Sequence, residues 1–317
     1  MLASTRLFPL ETAPAEAANG FCRTLEASTV SFDGLWVGLP YSLETLPDLA
    51  RVAAGHRWRV VGIDGPLPER LARKVEGKRQ PYLAAPDDPE ERLAAVKICL
   101  KNLDALASLG GTCLALELGR LPLLLEESDL HKSYERGELF DEFEPIALRF
   151  RKVQEDRKSV AARWRDGARF SLDRLVRQAE AKGITLALRI GGSLWQYPSP
   201  REAALICADM TGSSTRIAFD SGAWWRLQML GLTAGNDRRT QLLGLSALAL
   251  VHDGCGLNGD LAAGLGDAPF DWLAEAPLSA NVVLDGQSDT TPTEIASAAR
   301  LIESGLKRRS EPESVSE

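Results

Sequence analysis

Charged side chains stand at the ends of several short apolar runs in this sequence. They are Asp64, Glu117, Arg189, Asp220, His252 with Asp253, and Asp285. Aspartate, glutamate and histidine can move protons or bind a divalent metal, and an arginine fork can grip a carboxylate or a phosphate. Each residue taken alone has an ordinary structural alternative, because acids at strand ends often cap the next helix or pair with a basic neighbour. Their recurrence at one kind of position favours a functional site.

The runs that carry these residues alternate with amphipathic stretches. We predict strands at residues 35–39, 59–64, 81–83, 112–118, 184–189, 215–220, 246–252 and 280–285. Several are continuous apolar runs, which is typical of parallel strands covered on both faces. Helical periods separate them, and no glycine-rich phosphate loop follows a strand. The alternation predicts an α/β fold, a single (β/α)8 TIM barrel whose charged strand ends meet at one rim.

Three segments depart from this alternation. Residues 1–34 lack a clear period and are predicted to be a lead-in before a barrel domain of residues 35–306. Residues 307–317 are polar, and we expect them to be a disordered tail. The charged residues 121–168 are predicted to form a long helical excursion between the fourth and fifth strands, either a lid over the barrel mouth or an interface.

The composition of the 317 residues excludes several classes of function. The 44 acidic and 37 basic residues leave a net charge of −7, which disfavours non-specific binding of nucleic acid. The sequence has no apolar run of membrane-span length and no signal-peptide core near its start, so we expect a cytoplasmic protein. The five cysteines include no C-x-x-C pair, and three histidines are too few for a histidine-rich metal centre.

Residues 35–301, and most closely residues 170–285, resemble the xylose isomerase-like sugar phosphate isomerases and epimerases, a family related to endonuclease-IV-type barrels. Residues 174–188 look like the helix and fifth strand of that family, and residues 197–202 look like the start of its next helix. Residues 217–223 resemble its Asp-x-Gly-His motif, and residues 252–267, followed by 270–272, resemble its seventh-strand loop. The resemblance implies a sugar-like substrate and a divalent metal held by Glu, Asp, His and Glu from strands five to eight.

Most of the implied metal ligands are replaced in this sequence. The replacements are Arg189 for the fifth-strand Glu, Ala223 and Leu250 for two histidines, Asp260 and Leu265 for the His and Glu of the loop, and Asp285 for the last Glu. Only Asp220 is unchanged. The resemblance therefore implies an eroded metal site and no cofactor. Were a divalent metal (Mn, Zn or Mg) retained, Asp220, His252 and Asp285 would hold it.

Arg189 places a permanent cation where the metal would lie. We expect its guanidinium to pair with Asp220 and Asp285, either as an internal salt bridge or with donors left for a ligand carboxylate or phosphate. The further candidates for ligand contact are Asp64, His252, Trp195 and Trp224. The two tryptophans could stack on a sugar ring or pack in the core.

Three functions remain open. The first is a non-catalytic binding or partner protein for a sugar-like or anionic ligand, with a protein partner or homo-oligomer and no nucleic-acid or membrane partner. The second is a metal-independent isomerase, epimerase or lyase with Arg189 as electrophile and Asp220, Asp285 or Glu117 as base. The third is a weak metal site, in which His252 points inward beside the same carboxylates.

Overall fold

The apolar runs form eight parallel strands that close into a barrel. The computed structural model describes residues 1–7, 14–39, 41–70, 81–233, 235–275, 280–287 and 290–308. The barrel strands are β1 Leu2–Ser4, β2 Gly34–Val37, β3 Val60–Gly65, β4 Cys113–Leu116, β5 Thr185–Arg189, β6 Thr215–Asp220, β7 Ser246–Val251 and β8 Asn281–Leu284. Each strand pairs with its neighbours in sequence, and β1 pairs with β8 to close the ring. The predicted (β/α)8 barrel is confirmed.

The first strand lies where the sequence predicted a lead-in. Leu2 pairs with Val283 of β8 and with Gly34 of β2, so the segment of residues 1–34 contributes a strand to the barrel. A strand of three residues is too short to show a period, which is why the pattern missed it. The strand predicted at residues 81–83 is wrong, because these residues are irregular and a turn begins at Leu83.

Helices alternate with the barrel strands. They are α1 Pro14–Ala27, α2 Leu46–Gly55, α3 Pro89–Ser108, α4 Glu127–Glu135, α5 Pro145–Ala181, α6 Pro200–Asp209, α7 Ser221–Met229, α8 Gly235–Gly244 and α9 Pro292–Arg308. Ser199 begins α6 with the predicted cap, since its side chain accepts from Glu202 N while Glu202 returns a bond to Ser199 N. Lys307 and Arg308 of the predicted disordered tail belong to α9, and residues 309–317 lie outside the described residues.

The excursion between β4 and β5 is helical. It contains α4, a short 3-10 helix at Glu138–Phe140, and the 37-residue α5, which continues without a break through the helix that leads into β5. The excursion packs on the loop after β5. Arg157 Nε donates to Leu194 O at 2.8 Å, and Trp195 Nε1 donates to Leu125 O at 2.9 Å. It therefore stabilises a loop at the end of the barrel where the strand-end charges meet.

The barrel interior is filled by side chains from all of its strands. The cluster comprises Leu2, Trp36, Val61, Cys113, Ala115, Ala187, Ala218, Leu248, Leu250 and Val283. Since side chains alternate along a strand, Leu248 and Leu250 place His252 on the same inward face. The interior is thus apolar below and charged above, where the strands end. None of the described helices has the length and apolar character needed to cross a bilayer.

Candidate functional site

A cavity of about 350 Å³ opens at the C-terminal ends of the strands. Its wall brings together four residues that the sequence singled out: Asp64, Glu117, Arg189 and Asp220. Arg6, Arg226 and Asp260 complete the charged part of the wall. Asp285 and His252 are not part of the wall, since both are fully buried beneath it. The charged groups therefore form two layers, one facing the cavity and one inside the barrel.

Arg189 bridges two carboxylates of the wall. Its Nε and Nη2 donate to Asp220 Oδ2 at 3.0 and 2.8 Å, and its Nη1 donates to Asp64 Oδ2 at 2.7 Å. Burial alone would lower the pKa of Arg189, but the negative charges of Asp64 and Asp220 outweigh it and hold the pKa well above its ordinary value. The expected partner Asp220 is present, whereas the second partner is Asp64 and not Asp285.

Asp220 is held in place by the helix that follows it. Its Oδ1 accepts from Ala223 N at 2.9 Å, so the carboxylate caps α7 while Oδ2 faces Arg189. Only glycine fits at position 222, two residues after Asp220, because a Cβ there would lie 1.7 Å from Gly259 O. Burial would raise the pKa of Asp220, but His252 and Arg189 lower it well below its ordinary value. Asp220 is consequently an ionised, weakly basic group.

Arg6 neutralises the second buried carboxylate. Its Nη1 donates to Asp285 Oδ2 at 3.1 Å, and Asp285 Oδ1 accepts from Gly286 N at 2.9 Å. Burial raises the pKa of Asp285, but Arg6 and His252 outweigh burial and the pKa lies far below its ordinary value. Sequence reasoning missed Arg6 because the residue follows β1, the strand that showed no period. The only available signal was an arginine directly after a short apolar segment, which is too common to be specific.

His252 lies between the two buried carboxylates. Its Nε2 is 3.3 Å from Asp285 Oδ2 and 3.8 Å from Asp220 Oδ1, and the side chain is 0% exposed. Burial lowers the pKa of His252, but Asp220 and Asp285 outweigh burial and raise the pKa above its ordinary value. His252 thus points inward, the orientation that the hypothesis of a weak metal site assumed. It lies beneath the cavity and does not line it.

The loop after β7 supplies a shared acceptor above these residues. It forms a hairpin in which Asp253–Cys255 pairs with Asn258–Leu261. Asp260 of this hairpin accepts from Arg6 Nη2 at 3.3 Å and from Arg226 Nη1 at 3.4 Å. Asp260 therefore joins two cations of the wall.

Glu117 differs from the other acids of the wall. Within the described part of the chain it has no hydrogen bond or ion pair, although its side chain lines the cavity. Partial loss of hydration inside the cavity raises the pKa of Glu117 and outweighs the opposing charge of Arg189, although the residue is still exposed to solvent. Its raised pKa and its lack of an ion-pair partner among the described residues suit Glu117 to accepting a proton.

The two tryptophans that the sequence offered as stacking residues lie outside the cavity wall. Trp195 packs in the apolar cluster beneath the helical excursion, and its Nε1 is bound to Leu125 O. Trp224 is 5% exposed and packs against Phe219, with the ring centroids 6.0 Å apart. Each tryptophan follows a strand end closely in sequence. The ring of Trp195, however, packs among side chains of the excursion, and the ring of Trp224 packs against Phe219.

The charged groups do not fit a divalent metal in this arrangement. Asp220, His252 and Asp285 are the residues that could supply ligands, yet Arg189 and Arg6 already contact the two carboxylates. A divalent ion there would lie beside two guanidinium groups, which stay charged at any accessible pH. In the residues that the structure describes, no group of three or more His, Cys, Asp or Glu side chains is placed to hold a metal.

Solved structures of sugar epimerases share this fold over nearly the whole chain. The 3-keto-D-glucoside 4-epimerase of E. coli is 14% identical, with a TM-score of 0.61 over 96% of this chain and 98% of that one. A D-allulose 3-epimerase from Methylomonas sp. is 11% identical, with a TM-score of 0.65 over 96% and 97% of the two chains. An L-ribulose 3-epimerase is 12% identical, with a TM-score of 0.65 over 98% and 95%. No protein-family model and no curated protein matches the chain. The predicted likeness in fold to sugar isomerases and epimerases is confirmed.

Proposed function

We propose that this protein binds a small, neutral, sugar-like ligand in the barrel cavity, without a divalent metal and without turning it over. The observation that carries the proposal is the bridge from Asp64 through Arg189 to Asp220 on the cavity wall. It presents a fixed cation and two fixed acceptors to one small space. The likeness in fold to sugar epimerases supports a sugar as the ligand.

The charge balance of the wall favours a hydroxylated ligand over an anion. The wall carries three arginines against four carboxylates, which are Arg6, Arg189 and Arg226 against Asp64, Glu117, Asp220 and Asp260. Guanidinium groups only donate hydrogen bonds and ionised carboxylates only accept them, whereas a sugar hydroxyl does both. A phosphate or carboxylate ligand would meet an excess of negative charge. The wall is therefore complementary to a neutral sugar.

The state of the two buried acids supports binding without turnover. Asp220 and Asp285 both have a lowered pKa, so they remain ionised but accept protons poorly. Each is also already paired with an arginine. These two carboxylates can orient a hydroxyl group through the arginines but are poor bases for proton transfer.

The test is calorimetric titration of EDTA-treated protein with a panel of pentoses and hexoses. We expect at least one sugar to bind with an affinity that added Mn²⁺ or Zn²⁺ leaves unchanged. Arg189→Lys keeps the charge but loses the fork that holds both carboxylates, and we expect it to weaken binding about tenfold. Arg174→Lys, on an exposed face of α5, is the matched control and should bind as the wild type does.

Two results would overturn this function. Near-stoichiometric metal that resists dialysis, or sugar binding only after metal is added, would restore a metal-dependent site. Failure of every sugar to bind under both conditions would exclude the sugar-like ligand. Elemental mass spectrometry of the protein before and after incubation with Mn²⁺ and Zn²⁺ decides the first point.

Glu117 favours a second candidate, a metal-independent isomerase or epimerase. Its raised pKa and position on the wall suit a base that takes a proton from a carbon beside a carbonyl and returns one to the same or the adjacent carbon. Arg189 would stabilise the charge on the carbonyl oxygen. The candidate predicts deuterium incorporation into a bound sugar in D₂O, followed by NMR. Glu117→Gln should abolish the incorporation and leave binding intact, and incorporation that survives it would exclude Glu117 as the base.

A further inference from the structure

A second cavity, of about 540 Å³, adjoins the sugar cavity. Arg226 and Gly192 line both cavities, so the two spaces meet at these residues. The second cavity lies between α4, which lines it with Ser128, and the hairpin after β7, which lines it with Leu257. The second cavity therefore begins at Gly192 and Arg226, where the first cavity ends, and it lies next to the helical excursion.

Arg226 lies at this junction, and most of its N–H donors have no acceptor among the described residues. Its Nη1 makes one long bond, at 3.4 Å, to Asp260, an acceptor that it shares with Arg6. Among the described residues, its buried Nε has no partner and its Nη2 makes no hydrogen bond. The Oγ of Ser193, which lines the second cavity, is also buried without a partner in that part of the chain. Polar groups left unpaired inside a protein are costly, so their presence at one junction points to a ligand.

Gly192 explains how the guanidinium reaches this position. A Cβ at residue 192 would lie 2.8 Å from Arg226 Nε and 2.8 Å from Ala223 Cα. A side chain there would displace Arg226 from the boundary. The glycine after β5 therefore allows one arginine to face both cavities.

From this junction we infer that the ligand has two units, a sugar in the first cavity and a second sugar-sized unit that passes Arg226 into the second. The two-unit ligand rests on the proposed function, because its first unit is the sugar of that site. Polar residues, among them Ser128 and Lys132, line the second cavity together with the apolar Leu130 and Leu257. A sugar ring matches this mixture, since its hydroxyls form hydrogen bonds while its C–H face packs on apolar groups. An acceptor oxygen between the units would face the unpaired donors of Arg226.

The experiment compares single sugars with disaccharides that contain them. The probes are D-glucose, D-galactose and D-fructose, and cellobiose, lactose and sucrose, titrated by calorimetry into the full chain. We expect at least one disaccharide to bind at least about tenfold more tightly than its component sugars. Ser128→Trp fills part of the second cavity from an exposed helix position, and it should remove this gain while leaving the binding of single sugars unchanged.

Ser159→Trp is the matched control, because it makes the same change at an exposed position of α5 that lines neither cavity. It should leave both classes of ligand unaffected. If single sugars bind and disaccharides bind no more tightly, or if Ser128→Trp leaves the gain intact, the two-unit ligand is excluded and the sugar site stands. If none of the probes binds, the two-unit ligand is excluded, and the wider panel of pentoses and hexoses decides the sugar site separately.

Discussion

Arg189 and Arg6 each neutralise a carboxylate that is almost entirely removed from water. The side chains of Asp220 and Asp285 are 3% and 0% exposed, and each contacts one arginine as well as lying near His252. Moving an ion out of water costs several kcal/mol unless a partner compensates it. The two arginines supply the positive charge that compensates these carboxylates, as a divalent cation beside them would.

Arg189→Ala should destabilise the protein by about 3 kcal/mol, because it leaves the buried Asp220 without its cation. Adding Asp220→Asn removes the uncompensated charge while keeping an oxygen that can cap α7, so the double variant should be more stable than Arg189→Ala alone. The free energies of unfolding are measured in urea. Arg165→Ala, which breaks an exposed pair with Asp209, is the control and should cost less. Strictly additive losses in the double variant would contradict the coupling.

His252 should make stability depend on pH. Its pKa is raised in the folded protein above the ordinary value of 6.5, so its stabilising contribution is complete below pH 6.5 and is lost as the pH rises through the folded value. The titratable and charged groups that face it are Asp220, Asp285 and Arg6. We expect the free energy of unfolding of the wild type, relative to His252→Asn, to decrease as the pH rises above 6.5. A difference that stays constant with pH would show that His252 does not titrate with the fold.

The residues whose positions at the rim were predictable are those at strand ends. Asp64, Glu117, Arg189 and Asp220 end apolar runs, and the structure brings them to one wall because parallel strands end at one rim. The partners were predictable only in part, since the expected pair of Arg189 with Asp220 is present but Arg189 also pairs with Asp64, 125 residues away in sequence. A charge pattern gives the sign of a group but not its neighbour across the barrel.

At the scale of elements, the hairpin after β7 depends on one carboxylate. Asp253 is 1% exposed. It accepts hydrogen bonds from four backbone N–H groups, those of Gly254, Gly264, Gly266 and Ala268, at 2.7 to 2.9 Å. These bonds draw the end of the loop back to the strand and set the position of Asp260 above the cavity. Asp253, which the sequence offered beside His252 as a chemical group, thus has a structural role.

Asp253→Ala should cost about 3 kcal/mol, because one buried and three partly buried N–H groups lose their acceptor at once. We expect faster hydrogen exchange at Gly264 and Gly266 and weaker ligand binding, since Asp260 would lose its fixed position. Asp267→Ala changes an exposed acid of the same loop and should have little effect on either readout. Unchanged exchange at both glycines in Asp253→Ala would show that the loop is held by other contacts.

At the scale of the whole molecule, closure of the barrel depends on its shortest strand. β1 has three residues, yet it supplies the pairing for both β8 and β2 and leads directly to Arg6. Without it the barrel would have two open edges, and Asp285 would lose Arg6. Partners, oligomeric state and cellular location stay predictions, since the fold of one chain bears on none of them.

Deleting residues 2–7 should abolish cooperative unfolding, because it opens both edges of the barrel. Circular dichroism during thermal and urea denaturation measures this. Arg6→Ala separates the loss of strand pairing from the loss of the Arg6–Asp285 ion pair, since it removes only the ion pair and leaves β1 intact. This variant should still unfold cooperatively, at a lower denaturant concentration than the wild type. Deleting the polar residues 309–317 is the control and should leave the midpoint unchanged. Cooperative unfolding of the chain without residues 2–7 would show that β1 is dispensable.

The alternation of strands and helices and the charged rim can be predicted from the amino-acid order, because both follow from local periods and from the residue that ends each run. The three-dimensional arrangement was needed to show that β1 closes the barrel, that Arg6 contacts Asp285, 279 residues away, and that His252 is buried between two acids. Pairing across a closed barrel depends on which strands become neighbours and on their register. Those are properties of the assembled ring, and no local pattern in the chain encodes them.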